Sequence, residues 1–317
     1  MILVTRRPPG NALEMLRQAE RVAVWEGDGP MPRDELLEQV SEATALYCML
    51  TDRIDRELLS AAGRLRVVSN MAVGLDNIDL VACTERGIRV GHTPGVLTEA
   101  TADLAFGLLL AAARRIAEGY DHVRAGEWGE WKPDLLLGSD VHGATIGVIG
   151  MGRIGSAIAR RAAGFGMSIL YSGPRRKPEV EAELGAVRRD LSGLLMGSDH
   201  VVVTALLNAE THRLLDERAF RLMKNTATLV NIARGPLVDT DALVHALRSG
   251  AIAGAGLDVT DPEPLPADHP LARLPNCVIT PHLGSASAAT RAEMAELAAR
   301  NLIQGLRGEP MEACANL

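Results

Sequence analysis

One run of twelve residues constrains this chain more than any other: Ala144-Thr145-Ile146-Gly147-Val148-Ile149-Gly150-Met151-Gly152-Arg153-Ile154-Gly155. Small and β-branched apolar residues lead into glycines at 150, 152 and 155, and a helical pattern opens directly behind them. That order spells a strand, a tight turn and a helix start. In such a unit the first glycine permits the turn and the second lets a pyrophosphate approach the backbone. The third lets the helix pack on the strand, while the helix N-terminus offers N–H groups to phosphate. Methyltransferases and structural turns use similar glycine triplets, so the triplet alone leaves those readings open. A second strand, Ser168-Ile169-Leu170-Tyr171-Ser172, ends 22 residues after Gly150, where a dinucleotide fold meets the adenosine ribose.

At 317 residues the chain is long enough for two cores. Only 3% of it is aromatic, so those cores must be aliphatic and rich in alanine. The net charge of −7, with no basic arm, argues against nucleic acid as a partner. Cys48, Cys83, Cys277 and Cys314 lack CxxC spacing and read as reduced packing residues. Met1-Ile2-Leu3-Val4 is strand-like, with no signal-peptide pattern. The apolar run Leu104–Ala113 is too short to span a bilayer, so a cytoplasmic protein without a membrane partner is expected.

Along the chain, strands and helices alternate. Strands are predicted over Ile2–Thr5, Val22–Trp25, Ala45–Leu50, Leu65–Ser69 and Ile88–Gly91, with helices over Asn11–Ala19, Arg33–Val40 and Asp55–Ala61. A further helix, capped by Asp76 or Asn77, stops at Gly87. After Pro94-Gly95 one long helix is predicted from Thr98 to Gly126, apolar nearly all round in its first half and so buried between domains or subunits. Beyond Ser172 come strands Ala186–Arg188, His200–Ala205, Thr228–Ile232, Gly254–Val259 and Val278–Thr280. Helices at Leu191–Met196, Asp216–Met223 and Thr240–Arg248 separate them, and a final helix runs from Ser285 to Gly308. The expected architecture is α/β with two doubly wound parallel-sheet domains. A Rossmann dinucleotide-binding domain, residues 97–282, is inserted into a flavodoxin-like substrate domain, residues 1–96 and 283–317. Ligands would bind at the carboxyl ends of the strands, in a cleft.

Three stretches behind the glycine motif each set one ionisable residue at a strand end: Arg234 in Val230–Gly235, Glu263 in Gly256–Pro264 and His282 in Thr280–Ser285. An arginine can hold a carboxylate in bidentate fashion, and a His–Glu pair can move a proton near neutral pH. Taken singly, each also fits a surface ion pair or a loop cap. Their common position behind a dinucleotide motif favours chemistry.

With these stretches in hand, the chain resembles the D-isomer-specific 2-hydroxyacid dehydrogenases over essentially its whole length. The resemblance rests on Ala72–Asp79, the glycine motif, Asn231–Gly235, Asp258–Pro264 and Pro281–Ser285. Within the family it is most similar to glyoxylate/hydroxypyruvate reductases, through Arg86–Gly91, Gly95–Thr98, Trp128–Pro133, Gly256–Pro266 and Gly305–Met311. The resemblance implies that Arg234 holds the substrate carboxylate and polarises its 2-keto oxygen, and that His282 protonates that oxygen as hydride arrives. Glu263 would orient the imidazole and favour its charged form. The backbone of Val73 and Gly74 would bind the carboxylate, with Ser285 adding a side-chain contact. Asp258 would take the nicotinamide carboxamide, and Arg153, Ile154, Ala205, Ile232, His282 and Gly284 would complete the cofactor contacts. A cation and an acid aimed at the developing oxyanion make physical sense. Trp131 is either a loop anchor or, as in related reductases, a residue entering the neighbouring subunit's active site. Other dehydrogenase substrates (phosphite or a bulkier 2-oxo acid) and an NAD(H)-sensing co-repressor share much of this pattern.

Cofactor choice departs from the family's commonest pattern. NAD-selective relatives end the second strand in an Asp that binds the ribose. Here Tyr171-Ser172-Gly173-Pro174-Arg175-Arg176-Lys177 has no acid. Ser172, Arg175 and Arg176 would therefore bind a 2′-phosphate, so NADPH is expected over NADH, which remains possible. Leu104, Leu108, Leu109 and Leu110 suggest a homodimer. His92, His122, His142, His200, His212, His245 and His269 show no metal-binding spacing and read as surface or loop residues. Asp103 stands where much of the family has Glu, with no consequence expected for the chemistry.

Overall fold

A computed structural model describes residues 1–316. The chain forms two compact units: Met1–Leu97 with the segment from Ser285 onward, and Thr98–Gly284.

The first unit holds strands β1 (Ile2–Val4), β2 (Val22–Val24), β3 (Ala45–Cys48), β4 (Val67–Asn70) and β5 (Arg89–Gly91). They form one parallel sheet in the order β2-β1-β3-β4-β5, the flavodoxin-like order. Between them run α1 (Ala12–Ala19), α2 (Arg33–Val40), α3 (Arg56–Ala61) and α4 (Leu80–Glu85). Strands β1, β3 and β4 are buried at every position, as parallel strands covered on both faces must be. The helix near the C-terminus, Ala288–Arg307, packs on α1, β3 and β4. It buries Met294, Leu297 and Leu302. The cap of α4 is Asp79, which accepts from Ala82 N at 2.8 Å, rather than Asp76 or Asn77.

The second unit opens with α5 (Thr98–Ala113) and α6 (Ile116–Arg124), two helices where the sequence predicts one. The break is at Arg115, whose φ of 53° lies in the left-handed region, with its guanidinium forked on Glu118. Neither Gly nor Pro marks it. Helix α5 packs on α7 (Arg153–Gly164) and on the sheet of its own unit. Leu108 and Leu109 are buried in that core and Leu104 and Leu110 pack against it, so the apolar half of α5 is consumed within its domain. Arg161 of α7 ties back to Glu99 at 2.9 Å and also pairs with Asp103, so Asp103 joins two helices.

Seven parallel strands follow: β6 (Thr145–Ile149), β7 (Ser168–Ser172), β8 (Val187–Arg188), β9 (His200–Val203), β10 (Thr228–Asn231), β11 (Gly254–Leu257) and β12 (Cys277–Ile279). Their order is β12-β11-β10-β9-β6-β7-β8, a Rossmann order with the strand of the glycine motif beside the switch point. One face is covered by α5 and α7. The other is covered by α9 (Leu191–Gly197), α10 (Glu217–Leu222) and α11 (Thr240–Ser249). The helix α8 (Pro178–Leu184), which the sequence pattern does not predict, links β7 to β8. It buries only Val180, so no apolar stripe announces it. His200 also departs from expectation: it is fully buried in β9, with Nε2 3.1 Å from the Asp140 carbonyl.

Candidate active site

The glycine turn leaves β6 with Gly150 at φ 100°, and Gly150 N donates to the Ser172 carbonyl at 2.8 Å. A Cβ on Gly150 would lie 2.7 Å from Ala205 N, and one on Gly155 would lie 2.3 Å from the Gly150 carbonyl oxygen. Both glycines are therefore demanded by close backbone packing. A Cβ on Gly152 would meet nothing within 4 Å. The second glycine faces open space at the start of α7, with Arg153 and Ile154 in that helix's first turn. Ala205 follows β9 against Gly150, and Ile232 is buried just past β10.

Arg234 follows β10 on a turn built by Asn231. The buried Asn231 side chain donates to the Arg234 carbonyl at 2.9 Å and accepts from Ala233 N at 3.1 Å. Arg234 Nη1 donates to the Ala233 carbonyl at 2.7 Å. The sequence analysis assigns Asn231 no role, although a polar residue closing an apolar parallel strand is the available signal.

Glu263 lies on the loop after β11. Its Oε1 is 2.7 Å from His282 Nδ1, and its Oε2 accepts from Thr260 N at 3.3 Å. Burial pushes this carboxyl up, but the hydrogen bond and charge of His282, the Thr260 N–H and the charge of Arg234 outweigh it. Glu263 titrates below the usual carboxylate range and is ionised at neutral pH. Arg234, Glu263 and His282 are thus brought into one electrostatic group.

His282 sits past β12 with φ 56°, a conformation that costs a non-glycine residue energy and recurs at functional sites. Asp258, only 2% exposed, holds that turn. Its Oδ1 accepts from the Thr280 hydroxyl and Leu283 N, each at 2.6 Å, and its Oδ2 accepts from Gly284 N at 2.8 Å. Three of the roughly four acceptor sites of a carboxylate are thereby used on the histidine loop. Asp258 is first of all a residue that holds the loop carrying His282.

At the end of β7, Ser172 is partly exposed, and Arg175 is exposed with its side chain making no hydrogen bond or ion pair to any described residue. Arg176 is engaged elsewhere: it pairs with Glu181 at 2.7 Å, and Glu181 also accepts from the Tyr171 hydroxyl at 2.6 Å. In the first unit, Val73 and Gly74 follow β4. The Val73 carbonyl lies 3.2 Å from His92 Nδ1, and the Gly74 carbonyl accepts from Asn70 Nδ2 at 3.1 Å. Ser285 opens the segment leading to the C-terminal helix, its carbonyl accepting from Ser287 N at 2.9 Å. Trp131 is 80% exposed, on the loop between α6 and β6.

All four cysteines are free, and burial pushes the Cys83 thiol up to about 11 and the Cys277 thiol up to about 12. Among the described residues no group of His, Cys, Asp or Glu could hold a metal, and no helix is long and apolar enough to cross a membrane.

Residues 106–284 match the D-isomer specific 2-hydroxyacid dehydrogenase NAD-binding domain. The chain belongs to this family of NAD(P)-dependent oxidoreductases, which act on CH–OH groups. It is 53% identical to the glyoxylate reductase of Thermococcus onnurineus, over 97% of this chain and 93% of the relative. A protein of known structure from Thermus thermophilus superposes with a TM-score of 0.93 at 51% identity, covering 99% of each chain. The NADPH-dependent glyoxylate/hydroxypyruvate reductase of Sinorhizobium meliloti, solved with NADP and malonate, gives a TM-score of 0.86 at 32% identity. It covers 99% of this chain and 96% of its own. The open space at Gly152, bounded by the packed Gly150 and Gly155, fits the pyrophosphate of the dinucleotide that the family uses.

Proposed function

We propose that the enzyme reduces small 2-oxo acids with NADPH, converting glyoxylate to glycolate and hydroxypyruvate to D-glycerate. The observation that carries this is the His282–Glu263 pair at 2.7 Å, with the charge of Arg234 acting on the same carboxylate, at the ends of neighbouring strands β10, β11 and β12. A bound reduced nicotinamide supplies the hydride. Arg234 binds the substrate carboxylate and draws electron density onto the 2-keto oxygen. His282 has Nδ1 committed to Glu263, so the proton reaches that oxygen from Nε2. Ionised Glu263 then balances the imidazolium before transfer and fixes the ring's tautomer afterwards. Main-chain N–H groups of Val73 and Gly74, and the Ser285 hydroxyl, contribute to carboxylate binding. Gly150–Gly155 would hold the cofactor, with Ala205, Ile232, Asp258 and Gly284 as further contacts.

NADPH is favoured because β7 ends in Ser172 with no acid, and Arg175 stands exposed three residues on. A homodimer through α6 and the loop behind it fits the exposed Ile116, Tyr120, Val123 and Leu137. Trp131 on that loop is the residue proposed to reach the partner's active site.

The test is an initial-rate panel with NADPH and NADH against glyoxylate, hydroxypyruvate, pyruvate and phenylpyruvate, with phosphite plus NAD(P)⁺ as control. Highest kcat/KM for glyoxylate or hydroxypyruvate with NADPH is expected. Preference for phenylpyruvate, or oxidation of phosphite, would overturn the substrate assignment.

A further inference from the structure

We infer that Arg188 is a binding residue for the 2′-phosphate of NADPH and a determinant of cofactor choice, an inference that rests on the NADPH reading above. Strands β7 and β8 run parallel with Tyr171 opposite Arg188, so Arg188 closes β8 beside the end of β7. Strand β7 in turn pairs with β6, Ile149 opposite Ser172, so all three strand ends lie on the side of the glycine turn. A 2′-phosphate carried by a dinucleotide on that turn falls beyond Ser172.

The cations there have different commitments. Arg176 is neutralised by Glu181, which receives its Nε at 2.8 Å and its Nη2 at 2.7 Å. That pair shapes the turn, because Glu181 also takes the Tyr171 hydroxyl, whose oxygen accepts Lys177 N at 2.8 Å. Arg188 instead donates Nη2 to two neutral carbonyls, Gly173 at 2.8 Å and Pro174 at 3.4 Å. These contacts fix the guanidinium over the turn. Its Nε and Nη1 make no hydrogen bond to any described residue. Pro174 has no N–H to offer an anion. Arg175, Arg176, Lys177 and Arg188 set four positive charges against those of Glu179 and Glu181, a surplus of two. A phosphate monoester carries roughly −1.5 to −2 at neutral pH.

Titration calorimetry with 2′,5′-ADP and 5′-AMP separates this role from turn-shaping. Wild-type enzyme is expected to bind 2′,5′-ADP at least tenfold more tightly. R188Q keeps a neutral amide donor and loses the charge. It should weaken 2′,5′-ADP by about tenfold or more, the worth of one charge-assisted contact, and leave 5′-AMP unchanged. R188K should recover part of the loss. Equal weakening of both ligands, or retained discrimination in R188Q, would overturn the inference while the NADPH reading stands. Wild-type enzyme that binds the two ligands alike would overturn both.

Discussion

Gly235→Ala is the perturbation whose effect the packing defines most sharply. Gly235 follows Arg234 and is buried against the backbone leading to Glu263. A methyl group there would lie 2.0 Å from the Thr260 carbonyl oxygen, 2.1 Å from the Thr260 carbonyl carbon and 2.7 Å from Asp261 N. Carbon contacts relax at ~3.5 Å, so the two segments must separate by roughly 1.5 Å. All three clashing atoms are backbone, so no side chain can turn away to relieve them. The separation acts directly on the site, because Thr260 N bonds Glu263 Oε2 at 3.3 Å while Arg234 sits across the gap. Overpacking of this kind costs about 1–3 kcal/mol of stability, and a displacement of about 1 Å in a catalytic group costs ~10²-fold in rate. The expected outcome is a folded protein by circular dichroism, NADPH binding by fluorescence close to wild type, and kcat/KM for glyoxylate lower by about 10². A folded variant with kcat/KM within about threefold of wild type would refute the claim that this contact sets the spacing of Arg234 and Glu263.

Arg234→Ala should lower kcat and raise KM together, since its contact with the carboxylate serves ground and transition states alike; steady-state kinetics on glyoxylate would show an unchanged KM if that contact did not exist. His200 predicts a pH effect on stability. Burial holds its pKa below 6.5, against the raising effects of the Asp140 carbonyl and the Asp199 charge, so the unfolded chain takes up the proton first. Stability is retained above pH 6.5 and falls as pH drops through 6.5 towards the depressed value. Urea midpoints measured on both sides of that pH should diverge in wild type and less in His200→Gln. Light scattering at micromolar concentration should give twice the 33.8 kDa chain mass, and Ile116→Asp with Val123→Asp should return it to one.

What the sequence made legible has a physical basis. The strands of both sheets are short, mostly apolar stretches carrying Val and Leu, with polar residues only towards their ends in β4, β9 and β10, because parallel strands are buried on both faces. The glycine turn could be read because two of its three glycines are demanded by backbone contacts that no other residue tolerates. The break between α5 and α6 was not legible, since a left-handed Arg115 forked on Glu118 makes it without glycine or proline. Helix α8 was missed because it buries one residue. The first duty of Asp258 was hidden too. Its partners Leu283 and Gly284 lie 25 and 26 residues on, and only the pairing of β11 with β12 brings them together. In the same way, Arg176 reads as a free cation until the helical turn from Pro178 presents Glu181 to it.

The most direct test of the central claim, that His282 delivers the proton in reduction of a 2-oxo acid, is kcat of His282→Ala with glyoxylate and NADPH. The measurement is made beside NADPH affinity determined by fluorescence. A fall in kcat of roughly 10²–10⁴, the worth of a positioned general acid, with cofactor affinity retained, is the predicted result. Turnover close to wild type in that variant would contradict the account.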